Sequence, residues 1–164
     1  MTSKRLGRQT VRLGSPVSVL SYANIGGKQE AQGPLAGYFD ELNQDAYFGQ
    51  KSWEKGESAM QQFALRRAME KGGLIPEDLD YVLAGDLLNQ CIGTSFSLRD
   101  FKIPFYGLYG ACSTMGESLS LAALLIDGGF ASIVAAMTSS HFCTAERQYR
   151  MPVLYGNQRT APRE

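Results

Sequence analysis

One run constrains the fold of this chain more than any other: Phe105-Tyr106-Gly107-Leu108-Tyr109-Gly110-Ala111-Cys112-Ser113-Thr114-Met115-Gly116-Glu117. Apolar and aromatic residues lead in, Gly110 permits a sharp turn, and Cys112 opens an apolar-periodic stretch from Thr114 to Asp127. That is the signature of a strand passing directly into a helix. The first N–H groups of a helix lack internal partners and carry partial positive charge. A cysteine there has three readings: a nucleophilic thiolate, part of a carboxylate-binding helix end without chemistry, or a small hydrophobe at a tight packing point.

The flanking pattern repeats the alternation. Val17 to Ala23 reads as a strand ended by Gly26-Gly27, and Lys28 to Lys55 as an insertion holding a short helix. Gly56 to Lys71 reads as an amphipathic helix with Met60, Phe63, Ala64 and Ala68 on its apolar face and Arg66, Arg67 and Glu70 toward water. Gly72-Gly73 stops it. A proline-initiated turn at Ile75 to Leu79 precedes a buried strand at Tyr81 to Ala84. A short helix follows at Thr94 to Asp100, then a third strand at Phe105 to Leu108. The helix Thr114 to Asp127, with Leu119, Ala122, Ala123 and Ile126 inward, ends at Gly128-Gly129. Ser132 to Thr138 is apolar enough to expect burial on both faces. The β-α-β-α-β-α-β order predicts an α/β fold, a mainly parallel sheet covered by helices.

Ligands in such sheets sit beyond the carboxyl ends of the strands. Three of those ends carry polar residues: Asp86 and Asn89, then Cys112 to Thr114, then Ser139, Ser140 and His141. Their convergence on one rim says more than any of them alone. His141, the one histidine, reads either as a base for Cys112 or as a histidine satisfied by backbone or water. Asp86 orients a base or caps the next helix. Ser139 and Ser140 donate to a ligand or cap the turn that follows. Cys91 and Cys143 read as structural.

The chain has 164 residues with 16 Lys plus Arg against 16 Asp plus Glu, a balance that gives no case for bulk nucleic-acid binding. The charge is uneven: Lys4, Arg5, Arg8 and Arg12 precede the first expected strand, so residues 1–16 read as a basic tail, solvated or in weak contact with an anionic surface. The longest apolar stretch, Leu119 to Ile126, is far short of the roughly 20 residues of a membrane span. The N-terminus shows no secretory h-region. Three widely spaced cysteines form neither a disulfide framework nor a C-x-x-C metal site, and point to a reducing, cytosol-like compartment. No metal or cofactor is expected. Gly26-Gly27-Lys28 lacks the rest of a P-loop, and no G-x-G-x-x-G follows a strand.

Gly110 to Met115 resembles the nucleophile turn of the thiolase-like superfamily. Six blocks in order narrow the likeness: Ala84 to Gln90, Gly107 to Met115, Asp127 to Phe130, Thr138 to His141, Cys143 to Gln148 and Tyr155 to Arg159. Together they resemble the stage V sporulation protein AD family. That resemblance implies a thiolase-like fold of two similar halves, of which residues 17–164 are an incomplete first half without its last strand. It implies binding of dipicolinic acid, a pyridine dicarboxylate moved with calcium into the forespore and out on germination. The implied site is Asp86, Asn89, Cys112, Ser139, Ser140 and His141, with Arg147 adding charge. Membrane-embedded proteins of the same operon are the implied partners, with a homodimer as the assembly and a cytoplasmic-side location peripheral to the forespore or spore inner membrane. The competing implication is a thiolase-like acyltransferase or ketoacyl synthase with Cys112 as acyl nucleophile. In such enzymes the second half supplies the catalytic histidine and a further acid/base group, which this chain lacks.

Overall fold

The computed structural model describes residues 4–88 and 91–145. Its centre is a three-stranded sheet made of Tyr81–Gly85 (β5), Phe105–Gly107 (β6) and Val134–Thr138 (β7). All pairs are parallel, in the order β6-β5-β7, with Val82 opposite Phe105 on one side and Ala135 on the other. The expected parallel α/β sheet is therefore present, and its carboxyl ends share one edge.

Helix α1, Trp53–Gly72, starts where the Ser52 hydroxyl accepts from the Lys55 N–H and stops at Gly73, whose φ of 65° suits glycine. Helix α2 spans Ile92–Leu98 and α3 spans Thr114–Asp127. A single 3-10 turn at Pro76–Asp78 leads into β5, its entry held by the Ile75 N–H donating to Asp78. Leu65, Met69, Leu79, Val82, Ala84, Leu98, Phe101, Ile103 and Met137 form the core, with Val82 and Ala84 fully buried at its centre.

Five expectations need correction. Val17 to Ala23 belongs to no ladder among the described residues, and Val19, Leu20 and Tyr22 stand exposed. It runs along α1 instead, where Ser21 Oγ donates to the Ala68 carbonyl and the Lys71 ammonium sits 4.5 Å above the Tyr22 ring. Alternation of residue types supplied the strand signal; among the described residues no strand supplies the hydrogen bonds. The nearest ladder is a two-residue parallel bridge, Ile25–Gly26 (β3) with Glu41–Leu42 (β4), and two 3-10 turns stand where one short helix was expected. On α1 the fully buried stripe is Gly56, Glu57, Gln61, Leu65 and Met69, while Met60, Phe63, Ala64 and Ala68 are only half-buried. On α3 the buried stripe is Thr114, Ser118 and Ala122, and Leu119 is exposed. Finally, β7 is mostly half-buried rather than covered on both faces.

The basic N-terminal segment is a hairpin in the structure. Arg5–Leu6 (β1) pairs antiparallel with Thr10–Val11 (β2), with Gly7 at φ 65° in the turn. Asp127 at the end of α3 holds its base: Oδ2 takes Lys4 Nζ at 2.7 Å, and Oδ1 takes the N–H groups of Gly14 and Ser15.

Candidate functional site at the carboxyl edge of the sheet

Gly85 sets the geometry of this edge. A Cβ there would lie 1.9 Å from the Leu108 carbonyl oxygen, so only glycine lets the end of β5 pass so close to the segment leaving β6. Leu108 N–H donates to Ala84 O, and the Cys91 thiol donates to Leu108 O at 3.2 Å. Burial pushes the Cys91 thiol upward in pKa, and Cys91 is held as a structural group.

Asp86, the next residue, is fully buried and fully engaged. Oδ1 accepts from Leu88 N–H at 2.8 Å. Oδ2 accepts from the Thr94 N–H at 2.7 Å and from the Thr94 hydroxyl. Cys91 at the N-cap offers α2 no side-chain bond, so Asp86 does the capping from across the loop. Gly93 makes room for it, since a Cβ there would sit 3.3 Å from Oδ2.

From Thr94 a chain of buried polar contacts runs through α1 to the end of β7. Gln61 Nε2 donates to Thr94 Oγ1 at 3.1 Å and to Ser139 Oγ, while Gln61 Oε1 accepts from Ser97 Oγ at 2.6 Å. Ser139 Oγ donates to Glu57 Oε1 at 2.6 Å, and Thr144 Oγ1 donates to Glu57 Oε2 at 2.7 Å. Glu57 is only 1% exposed and makes no ion pair among the described residues. Burial raises its pKa, and the hydroxyls of Ser139 and Thr144 oppose the rise by stabilising the carboxylate. The Thr144 hydroxyl also lies 2.8 Å from the His141 carbonyl, and its single hydrogen serves one acceptor at a time. His141 is buried; a carbonyl only accepts, so the 2.7 Å contact with Ala46 O puts the ring proton on Nε2. Nδ1 is buried without a partner among the described residues.

Cys112 lies in a different setting. It is exposed, in the 3-10 turn Ala111–Ser113 that precedes α3. Ala111 occupies the left-handed region at φ 49°, a strained choice for a residue with a Cβ. Ser113 Oγ donates back to Gly110 O at 2.7 Å. The Glu117 carboxylate folds over the same turn: a Cβ on Gly110 would be 2.6 Å from its Oε2. This helix start therefore already has an acidic neighbour.

The structure thus joins Asp86, Ser139 and His141 through one buried network, and leaves Cys112 and Ser140 exposed beyond it. No described contact links Cys112 to His141. Asn89 and Arg147 lie outside the described residues. Sequence reasoning missed Glu57, Gln61 and Thr144. A signal existed for the first two, since Glu57, Gln61 and Leu65 follow one another at four-residue spacing on one helical face. A depression of about 430 Å³ lies elsewhere, between the start of α1 and α2, lined by Ser52, Lys55, Gln62, Ile92 and Arg99 among others, and takes in none of the rim residues. Among the described residues no group of three metal-ligating side chains converges, and no helix is long and apolar enough to cross a membrane.

Comparison with known proteins supplies what geometry does not. The model of the stage V sporulation protein AD family matches residues 7–163. This chain belongs to that family. It is 43% identical over 156 residues to stage V sporulation protein AD of Bacillus subtilis (strain 168), an alignment that takes in 95% of this chain and 46% of the relative. The chain thus spans less than half the length of the family member it matches, and the matched region includes the whole carboxyl edge of the sheet. Membership in the family ties the chain to sporulation.

Proposed function

We propose that the chain forms the first part of a dipicolinate-binding protein of spore formation. In this reading it assists dipicolinate uptake into the forespore and its release on germination, with calcium accompanying the ligand. The fold is read as one half of a thiolase-like pair, working with membrane proteins of the same operon on the cytoplasmic side, as a homodimer. Family membership across 95% of the chain carries the reading. Chemistry supports it too. Exposed Ser140 and Cys112 follow β7 and β6 at the same edge of a parallel sheet, above a buried, hydrogen-bonded polar floor. Hydroxyl, thiol and helix N–H donors held on such a rigid base suit a small dicarboxylate. Arg147 would add a charge-assisted contact. Acyl transfer by Cys112 needs a base within hydrogen-bond reach, and the imidazole of His141 is engaged by Ala46 instead.

The test is calorimetric titration of the intact reading frame with dipicolinate at one salt concentration. Saturable binding is expected, weakened by Ser140→Ala and by Cys112→Ala. Loss of a charge-assisted donor is worth roughly 1.5–3 kcal/mol, about 10- to 150-fold in affinity. Absence of saturable binding in the unmodified protein overturns the reading.

A further inference from the structure

We propose that the N-terminal hairpin is a docking finger for an anionic lipid surface. The first acidic residue in the sequence is Glu30, so residues 1–29 carry only cations. Lys4 is consumed by Asp127, and that clamp, with the Gly14 and Ser15 N–H groups, fixes the hairpin to the end of α3. A two-stranded hairpin is marginal in water by itself; this one is anchored at both ends of its base. Pairing of the Lys4 ammonium with the Asp127 carboxylate leaves the other charges of the hairpin facing outward. Arg8 and Arg12 are exposed and make no ion pair among the described residues. Arg5 adds a third cation, its guanidinium donating to the Arg8 carbonyl in the turn.

The apolar side chains select lipid over other polyanions. Leu6 is 43% exposed and Val11 is 52% exposed. Arg5 pairs with Val11 and Leu6 with Thr10, so Val11 shares a face with a cation and Leu6 lies on the opposite face. A finger that is both basic and apolar on its two sides suits the headgroup layer, where cations meet phosphates and short apolar side chains reach the acyl boundary. A nucleic-acid surface would gain nothing from Leu6 and Val11, and the hairpin offers no aromatic ring for base stacking. This inference is independent of dipicolinate binding, which concerns other residues and a different measurement.

The experiment is co-sedimentation of the full reading frame with vesicles of phosphatidylcholine alone or mixed with phosphatidylglycerol. Binding is expected only to the mixed vesicles and should weaken as salt rises. Each basic residue near such a surface is worth roughly fivefold in affinity, so Arg8→Glu with Arg12→Glu should lose at least about 25-fold. Leu6→Ser with Val11→Ser should lose several-fold at unchanged charge. An unaltered thermal transition checks the fold of each variant. If the charge reversals unfold the hairpin, the single changes Arg8→Gln and Arg12→Gln replace them, each expected to lose about fivefold. Equal binding to neutral vesicles, or charge variants that bind like the unmodified chain, overturns the proposal. So does indifference to Leu6→Ser with Val11→Ser, which would mark a general polyanion site.

Discussion

Two polar regions meet at the carboxyl edge of the sheet, and they are built on opposite terms. The floor, from Asp86 through Thr94, Gln61, Ser139 and Glu57 to Thr144, is buried and its hydrogen bonds are internal. The head of α3, from Gly110 to Glu117, is exposed apart from half-buried Gly110 and buried Thr114, with Cys112 open to solvent and Ala111 strained. In water each floor residue would be worth little, but in a low-dielectric interior a missing partner is costly. The difference teaches that a polar residue at a strand end can be a tie-rod as readily as a ligand group, and that burial with bonded partners tells the two apart.

The joint between the regions should show the largest effect. Gly85→Ala drives a Cβ into the Leu108 carbonyl, backbone that cannot swing aside. We expect a loss of about 3 kcal/mol or more in denaturant unfolding. Gly116→Ala, with nothing within 4 Å of its added Cβ, should gain roughly 0.5–1 kcal/mol from helix propensity. If the two alanines behave alike, the edge is looser than its geometry.

Next is the floor itself. Glu57→Ala strands the Ser139 hydroxyl and leaves Thr144 only the His141 carbonyl, at roughly 1–3 kcal/mol for an unsatisfied buried group. Glu57→Gln tests the sign. A carboxyl whose folded pKa is raised contributes stability below its unfolded pKa and loses it as pH rises through the folded value. Glu57→Gln removes that loss, so its stability should fall less than the parent's between mildly acidic and neutral pH. Thr144 can then turn its hydrogen to the His141 carbonyl. A parent and a Gln variant with parallel pH profiles would show that the carboxylate is not desolvated as its burial implies.

Asp86→Ala should cost about 1–2 kcal/mol as a lost helix cap, with added disorder at Leu88. The smallest stability effect belongs to the exposed region. Cys112→Ala should leave unfolding unchanged within about 0.5 kcal/mol. In the folded protein Cys112 should alkylate faster than buried Cys91, whose thiol is also pushed upward by desolvation. Equal labelling of the two, read by mass spectrometry of peptides, would erase the contrast between the regions.

Much of this arrangement was legible in the residues. The helix Thr114–Asp127, the strand at Tyr81 and the parallel order followed from periodicity, because local pattern and tertiary environment agree there. They disagree at Val17 to Ala23, where β-forming residues lie without a strand partner, and on α1, where Glu57 and Gln61 take the most buried positions. A hydrophobic pattern cannot reveal a polar stripe turned inward, since its partners, Ser139 and Thr144, are distant in sequence. Asp86 was open to two readings because capping and ligand binding ask for the same side chain, and only the position of Thr94 separates them.

The reach of the Glu57 bonds has a consequence for how the chain is made. Ser139 follows Glu57 by 82 residues and Thr144 by 87. During synthesis α1 leaves the ribosome first and can coil at once, yet its carboxylate has no lasting partner until β7 and the turn after it emerge. The helix must wait, wet on the face it will later dry. Closing that contact is a long-range event, and long-range events govern the pace at which a domain of this topology folds.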